Sequence, residues 1–154
     1  MSKEKLSLPR LDHIGLVVKD LEKAIEHFEF LGMGPTVPNV SSRTLDRKVY
    51  GKPVEGINNE GAFLEVDPIR LELVRPVQGD SIQKEFLDSR GEGVNHIAFV
   101  VDDLNTWVSR FEEAGFKVVY SGRYEEGGGV AYLGTDSVGG VLIEFIQTIT
   151  GKSM

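Results

Sequence analysis

The sequence predicts an α+β fold in which a strand–helix–strand–strand–strand (βαβββ) unit occurs twice in tandem. The first observation is a repeat: LDHIGLVVKDLEKAIEHFEFLGM at 11–33 returns as VNHIAFVVDDLNTWVSRFEEAGF at 94–116, with nine of 23 aligned positions identical. The second is that IRLELV at 69–74 returns as VLIEFI at 141–146, each with one glutamate inside an apolar run. Because only two copies are present, the sequence predicts an internal duplication within a single domain, 1–154, rather than a solenoid.

Each copy opens with a predicted strand, HIGLVV at 13–18 and HIAFVV at 96–101. Both segments are short and rich in β-branched residues, which is typical of buried strands. Three further strands follow in each copy, where apolar runs are separated by Gly, Pro and Asn. They are predicted at 35–40, 61–66 and 69–75 in the first copy and at 117–121, 130–134 and 140–147 in the second.

A helix is predicted directly after the first strand of each copy. Asp20 and Asp103 are the expected N-caps, because a carboxylate can accept a free N–H of the first turn. Gly32 and Gly115 lie where a helix C-terminus favours a left-handed residue. The apolar positions recur at spacings of three and four, as one helix face requires: Leu21, Ile25, Phe28 and Leu31 in the first copy, and Leu104, Val108, Phe111 and Ala114 in the second.

The two copies are predicted to form a first module at 10–77 and a second module at 94–147, joined by a linker helix within 78–93. The copies differ in length, because the repeated histidine and glutamate are 59 residues apart in the first copy and 48 in the second. The additional residues most simply belong to 41–60, which is polar and rich in turn residues. Long connections of this kind are often functional.

Composition limits the possible partners and the possible ligands. A net charge of −7 argues against nucleic acid and anionic membranes, which would repel the protein. The sequence contains no cysteine, so any metal has to be bound by His, Asp and Glu. No signal peptide and no apolar run of membrane-spanning length is evident, so a cytoplasmic protein is expected.

Strand parity places four polar side chains on one face of the predicted sheet. Alternate residues of a strand point to opposite faces. In each first strand the apolar set faces the helix, and His13 and His96 point the other way. Glu72 and Glu144 likewise point away from their apolar neighbours. If the duplicates pack with pseudo-twofold symmetry, the four side chains meet in one cavity, where the small residues Gly15 and Ala98 would leave room for a bound molecule.

These four side chains predict one divalent metal site. Buried carboxylates on an apolar face are unfavourable unless a cation neutralises them. Imidazole with carboxylate suits Zn²⁺, Co²⁺, Mn²⁺, Ni²⁺ or Fe²⁺. The competing interpretation is that His13 and His96 bind backbone carbonyls and that Glu72 and Glu144 reach water. A third histidine, His27, lies in the middle of the first predicted helix and is expected at the surface.

The segments LDHIGLVVKDLEKAIEHF, RLELVRP, GVNHIAFVVDDL and GGVLIE resemble the vicinal-oxygen-chelate superfamily over roughly 10–147, and methylmalonyl-CoA epimerases most closely. The superfamily also includes glyoxalase I, extradiol dioxygenases and drug-resistance proteins. The resemblance implies paired βαβββ modules in a cupped mixed sheet around a metal, which His13, Glu72, His96 and Glu144 would bind. It also implies a small-molecule substrate and a homodimer.

The resemblance further implies proton transfer at a carbon acid, with the metal stabilising an enediolate formed from an acyl thioester or 2-oxo compound. Glu144 is the first candidate for the base, as a ligand that can loosen. Inversion needs a second acid or base, for which Glu55 and Glu60 are candidates, although a solvated loop carboxylate is the favoured interpretation of both. Epimerases of this type carry a catalytic glutamate just before the third strand. The corresponding segment of this sequence is VEGINNEGAF, and neither Glu55 nor Glu60 aligns with that glutamate without a shift.

Three other functions share this framework. A glyoxalase I-type lactoylglutathione lyase would use the same four ligands on a thiol hemithioacetal. An extradiol dioxygenase usually needs two histidines, one carboxylate and open positions, which the fourth ligand disfavours. A non-catalytic drug-binding resistance protein commonly lacks the complete ligand set.

Overall fold

The computed structural model of the protein describes residues 4–39, 43–135 and 140–149. Within these residues it has ten strands and three helices. In chain order they are β1 Leu11–Val17, α1 Leu21–Phe30, β2 Thr36–Pro38, β3 Thr44–Val49, β4 Lys52–Pro53, β5 Asn58–Val66, β6 Ile69–Gln78, α2 Ile82–Arg90, β7 Gly93–Val100, α3 Leu104–Glu113, β8 Lys117–Tyr124, β9 Gly129–Gly134 and β10 Leu142–Gln147.

All ten strands form one cupped, unclosed sheet in the order β2-β5-β6-β1-β7-β10-β9-β8-β3-β4. The two repeated first strands, β1 and β7, pair antiparallel at its centre. Each also pairs in parallel with the glutamate-bearing strand of its own copy, β1 with β6 and β7 with β10. The duplication predicted from the sequence is therefore visible in the sheet as two halves that meet at the β1–β7 pair, and the predicted mixed α+β fold is confirmed.

Helices α1 and α3 cover one face of this sheet, and the polar residues lie on the opposite face. Helix α1 packs on a cluster that includes Leu64, Leu71 and Leu73, and α3 packs on one that includes Phe99 and Phe145. These are the side chains that alternation assigns to the helix side of each strand. Because Leu73 and Phe145 are fully buried there, their strand neighbours must point to the opposite face.

The two predicted N-caps behave differently. The Asp20 carboxylate accepts a backbone N–H of the first turn of α1 at 3.0 Å, as predicted. Asp103 precedes α3 but makes no such bond; its carboxylate accepts the Thr106 hydroxyl at 2.7 Å. The Leu104 N–H instead donates to the Gln147 side chain at 2.8 Å. The long-range partner from β10 replaces the local cap, which the sequence pattern could not show.

The helix C-termini follow the predicted glycine rule. Gly32 and Gly115 have φ of 95° and 99°, a region in which a side chain would be strained. Leu31, predicted on the apolar face of α1, is 57% exposed, because the helix has ended at Phe30 and the chain turns away. His27 is exposed, as expected.

The polar connection 41–60 contains strands that the sequence pattern did not predict. Strand β3 pairs antiparallel with β8, and β4 pairs with β3. The additional residues of the first copy thus extend the sheet at the edge of the second copy. No local alternation signals this, since the pairing partner lies in the other half of the chain. The predicted strand 35–40 is shorter, at 36–38, and residue 40 lies outside the described residues.

Helix α2, Ile82–Arg90, lies within the segment 78–93 between the two copies. The Ser81 hydroxyl caps it by accepting the Lys84 N–H at 3.0 Å. No helix in the part of the chain that the structure describes is long and apolar enough to cross a membrane.

Candidate metal centre

Strand register brings the four predicted ligands together at the centre of the sheet. Gly15 lies between Glu72 on β6 and His96 on β7. In the equivalent row of the duplicate, Ala98 lies between His13 on β1 and Glu144 on β10. Each small residue is therefore flanked by one histidine and one glutamate, so the two rows place all four side chains on the same face.

The donor atoms of these side chains face one another. His13 Nε2 lies 3.3 Å from Glu144 Oε1 and 3.7 Å from Glu72 Oε1. His96 Nε2 lies 3.1 Å from Glu72 Oε1 and 3.6 Å from Glu144 Oε1. None of the four side chains is more than 7% exposed. The structure thus brings together every residue that the sequence predicts as a ligand.

Gly15 has a different role from the one the sequence suggested. A Cβ atom added to it would lie 2.0 Å from Cε1 and 2.2 Å from Nε2 of His96. The imidazole ring of His96 therefore fills the space that was expected to remain open for a bound molecule. The absence of a side chain at Gly15 allows the second histidine to reach the centre.

Both histidines are oriented by the residue that precedes them. His13 Nδ1–H donates to the Asp12 carboxylate at 2.7 Å, and His96 Nδ1–H donates to the Asn95 amide oxygen at 2.9 Å. Nδ1 must be the donor in each case, because a carboxylate or amide oxygen only accepts. Each ring therefore points Nε2 at the centre, as outer-shell partners of metal-binding histidines generally ensure. The aligned Asp12 and Asn95 are a signal of this role that sequence reasoning missed.

Arg70, which lies two residues before Glu72 on β6, supports this arrangement. Its guanidinium binds Asp12 at 3.0 Å. It also stacks on Phe63, with Cζ 3.9 Å from the ring centroid. Its charge thus stabilises the carboxylate that orients His13.

The buried carboxylates make the centre favourable for a cation. Burial opposes protonation of His13, but the carboxylates of Asp12, Glu144 and Glu72 raise its pKa to about 10. Burial likewise opposes ionisation of Glu72, yet the imidazoles of His96 and His13 and the charge of Arg70 keep its pKa below the usual value. In both cases the nearby opposite charge outweighs desolvation.

Three atoms that could bind a metal at the centre lack a hydrogen-bond partner among the described residues: His13 Nε2, His96 Nε2 and Glu144 Oε1. Such atoms are rare in protein interiors, because an unsatisfied buried polar atom is unfavourable. The donors of His13, Glu72 and His96 all lie within 4.8 Å of one another. Two imidazole nitrogens and two carboxylates are a suitable donor set for a divalent transition-metal ion, so the residues present fit such an ion.

The centre opens into a cavity of about 300 Å³. Asn39 borders the cavity and donates to Glu72 Oε2 at 2.7 Å, which fixes that carboxylate. The opposite wall is formed by Tyr120, Tyr124 and Tyr132. Burial, the charges of Glu144 and Glu72, and a hydrogen bond with Glu144 together raise the pKa of Tyr132 well above its usual value. The tyrosines are therefore neutral hydrogen-bonding groups beside the centre.

The two other predicted acid/base candidates lie away from the four ligands. The Glu60 carboxylate pairs with Arg75, and Arg75 also binds Glu22 of α1 at 2.8 Å. These contacts hold the Glu60 side chain on the helix side of β5, at the edge of the cavity. Glu55 is exposed in the connection between β4 and β5. The structure brings neither carboxylate into contact with the centre.

Comparisons with known proteins agree on one group. The family model described as the glyoxalase/bleomycin resistance protein/dioxygenase superfamily matches residues 12–133. The uncharacterized protein YqjC of Bacillus subtilis (strain 168) is 26% identical over 140 residues, which cover 90% of this chain and 91% of that protein. The ethylmalonyl-CoA/methylmalonyl-CoA epimerase of Cereibacter sphaeroides is 28% identical over 143 residues, covering 90% and 97% of the two chains.

A solved structure shows the same likeness. The crystal structure of methylmalonyl-CoA epimerase from Mycobacterium tuberculosis superposes with a TM-score of 0.61 at 29% identity, covering 89% of this chain and 86% of that one. The similarity therefore extends over most of the chain in sequence and in fold.

Proposed function

Because the chain belongs to the glyoxalase/bleomycin resistance protein/dioxygenase superfamily, we propose that it is a metal-dependent, methylmalonyl-CoA epimerase-like enzyme. Its substrate would be a small acyl thioester or 2-oxo compound with an acidic C–H bond. The similarity to epimerases supports this choice. The observation that carries it is the buried centre, where two histidines and two glutamates face one another beside a cavity.

His13, Glu72, His96 and Glu144 would hold one divalent ion, with Co²⁺, Zn²⁺, Ni²⁺, Mn²⁺ and Fe²⁺ all suited to these ligands. When bound, such an ion supplies positive charge for the substrate oxygens and thereby makes the neighbouring C–H bond more acidic. Asp12 and Asn95 keep the two imidazoles in the orientation and tautomer that this requires.

Glu144 is the glutamate that we propose removes the proton. Its Oε1 has no hydrogen-bond partner among the residues described and faces the two histidines. A carboxylate that moves during the reaction needs a free oxygen within reach of the substrate carbon. Tyr132, which is neutral and hydrogen-bonds with Glu144, would keep that carboxylate aimed at the cavity.

Inversion also requires a group that returns the proton to the opposite side of the carbon. Glu72 lies in the row equivalent to that of Glu144 across the β1–β7 pair and borders the same cavity. We therefore favour Glu72 for this role over Glu55, which is exposed, and Glu60, which is paired with Arg75.

Deuterium exchange at the α-carbon of methylmalonyl-CoA tests the proposal. Protein loaded with Co²⁺ should exchange this hydrogen with solvent deuterium, and Glu144→Gln should lose at least ~100-fold of the rate, as expected for removal of a general base. Glu60→Gln is the matched control and should retain the parent rate, since its carboxylate pairs with Arg75 outside the centre. Absence of exchange by the metal-loaded parent would remove this substrate.

The same ligand set also suits isomerisation of a thiol hemithioacetal, because that reaction moves a proton next to an oxygen-bearing carbon. The hemithioacetal of methylglyoxal and glutathione should therefore be assayed beside methylmalonyl-CoA. Turnover of the hemithioacetal alone would identify a glyoxalase I-type lyase. A protein that binds no metal and turns over neither compound would fit a drug-binding protein. We further propose a homodimer, which light scattering in solution would test.

A further inference from the structure

Arg47 reaches the cavity from the connection that makes the first copy longer than the second. It lies on β3, which pairs with β8 at the edge of the second copy. Both Arg47 and Tyr120 of β8 line the cavity beside the metal centre. The additional residues thus contribute a guanidinium to a wall that the second copy otherwise forms.

A β-bulge at this point directs Arg47 inward. The pairing of β3 with β8 shifts register between Leu45 and Lys48, so Asp46 and Arg47 together oppose Gly122. Asp46 has φ of 50°, which is unusual for a residue with a side chain. Bulges of this kind change the direction of one side chain and are frequent beside active sites.

The neighbouring Asp46 points away from the cavity. Its carboxylate is exposed and accepts from Arg123 Nε at 2.8 Å. This ion pair holds the bulge residue outside the cavity, so Arg47, the next residue, is placed on the cavity wall.

The charge of Arg47 has no counter-ion among the residues that the structure describes. Its Nη1 donates to the carbonyl oxygen of Ile57 at 2.9 Å, and no described carboxylate lies within ion-pair distance. Four other arginines do face a carboxylate: Arg43, Arg70, Arg75 and Arg123. A guanidinium carries five N–H donors, so most of those on Arg47 remain available to a ligand.

A row of aromatic rings runs from the metal centre toward the strand that carries Arg47. The rings of His96 and Tyr132 have centroids 5.1 Å apart, and those of Tyr132 and Tyr120 are 5.8 Å apart. Arg47 lies on β3, the next strand after β8 in the sheet, so it continues this row of rings away from His96 on β7. A group bound by Arg47 is therefore not one of the oxygens next to the reacting carbon.

We propose that Arg47 forms an anion subsite that binds a second oxyanion of the substrate, remote from the carbon that reacts at the metal centre. This rests on the proposed function for the position of the reacting carbon. A guanidinium binds phosphate and carboxylate in the same bidentate manner. The oxyanion is thus either a phosphate of a coenzyme A thioester or a distal carboxylate of the acyl group.

Isothermal titration of the metal-free protein with two probes tests the subsite without requiring activity. Coenzyme A carries phosphates and no carboxylate, and glutarate carries carboxylates and no phosphate. Arg47→Met should weaken at least one probe by about tenfold or more, because charge-assisted hydrogen bonds are lost. The weakened probe identifies the oxyanion. Lys48→Met, which removes an exposed charge from the same strand, is the control and should bind as the parent does.

Arg47→Lys should recover part of the affinity, because it restores the charge but not the bidentate geometry. Thermal unfolding of each variant identifies any loss of fold caused by removing the contact with Ile57, and Arg47→Gln then serves as the second neutral variant. Equal affinity of the parent and the neutral variants for both probes, or no binding by the parent, would overturn the subsite. Probe binding that depends on Arg47 without deuterium exchange would instead remove only the proposed reaction.

Discussion

Replacing Gly15 by alanine should remove His96 from the metal centre. The added Cβ would lie 2.0, 2.2 and 2.5 Å from Cε1, Nε2 and Nδ1 of His96, whereas ordinary contacts begin at 3.4 Å. The imidazole would have to withdraw by more than an ångström. Metal–ligand distances tolerate about 0.2 Å, so the ring cannot move this far and remain a ligand.

The expected loss of Co²⁺ affinity is at least about 100-fold, since disturbing only the outer contacts of a ligand already reduces affinity by roughly 10–100-fold. The metal-free variant should still fold, because overpacking typically costs about 1–3 kcal/mol. Calorimetric Co²⁺ titration, with thermal unfolding of the metal-free protein, measures both effects.

Gly134→Ala is the matched control. Its added Cβ would meet only the end of the flexible Leu142 side chain at 3.0 Å and Val119 at 3.8 Å, with no atom of the four ligands within 4 Å. It should therefore bind Co²⁺ as the parent does. Parent-like Co²⁺ affinity in Gly15→Ala would refute the argument that the glycine makes room for the histidine.

Two further predictions concern His13. Asp12→Asn should weaken Co²⁺ binding by about 10–100-fold, because the Nδ1–H of His13 loses its carboxylate partner; an unchanged titration would exclude an orienting role for Asp12. The pKa of His13 is raised from 6.5 to about 10 in the metal-free protein, so its protonation stabilises the fold fully below 6.5 and this contribution is lost as the pH rises through 10. Metal binding requires the neutral ring, so Co²⁺ affinity should increase with pH and each ion should displace protons. Titrations in buffers of different ionisation enthalpy would detect the released protons. Binding without proton release at neutral pH would contradict this prediction.

The clustering of the four candidate ligands was predictable from the sequence because two independent patterns agree. The duplication pairs His13 with His96 and Glu72 with Glu144, and alternation places all four opposite the helices. Leu73 and Phe145 confirm the alternation, since both are fully buried on the helix side. Neither pattern depends on the register between strands, so both can be recognised without knowledge of the tertiary structure.

The remaining features depend on contacts between distant strands, which one sequence does not specify. Gly15 was interpreted as open space, because only the β1–β7 register shows that the ring of His96 lies against it. Arg47 was placed in a polar connection, because its strand pairs with β8, more than seventy residues away. The roles of Asp12 and Asn95 were missed because strand parity directs them away from the ligand face.

Metal content is the measurement that tests the central claim most directly. Protein stripped with a chelator and then dialysed against Co²⁺ should contain about one ion per chain, and replacing any of the four ligands by alanine should abolish tight binding. The same result is expected with Ni²⁺. A folded parent protein that retains less than about 0.2 ion per chain with either metal would contradict a metal centre formed by His13, Glu72, His96 and Glu144.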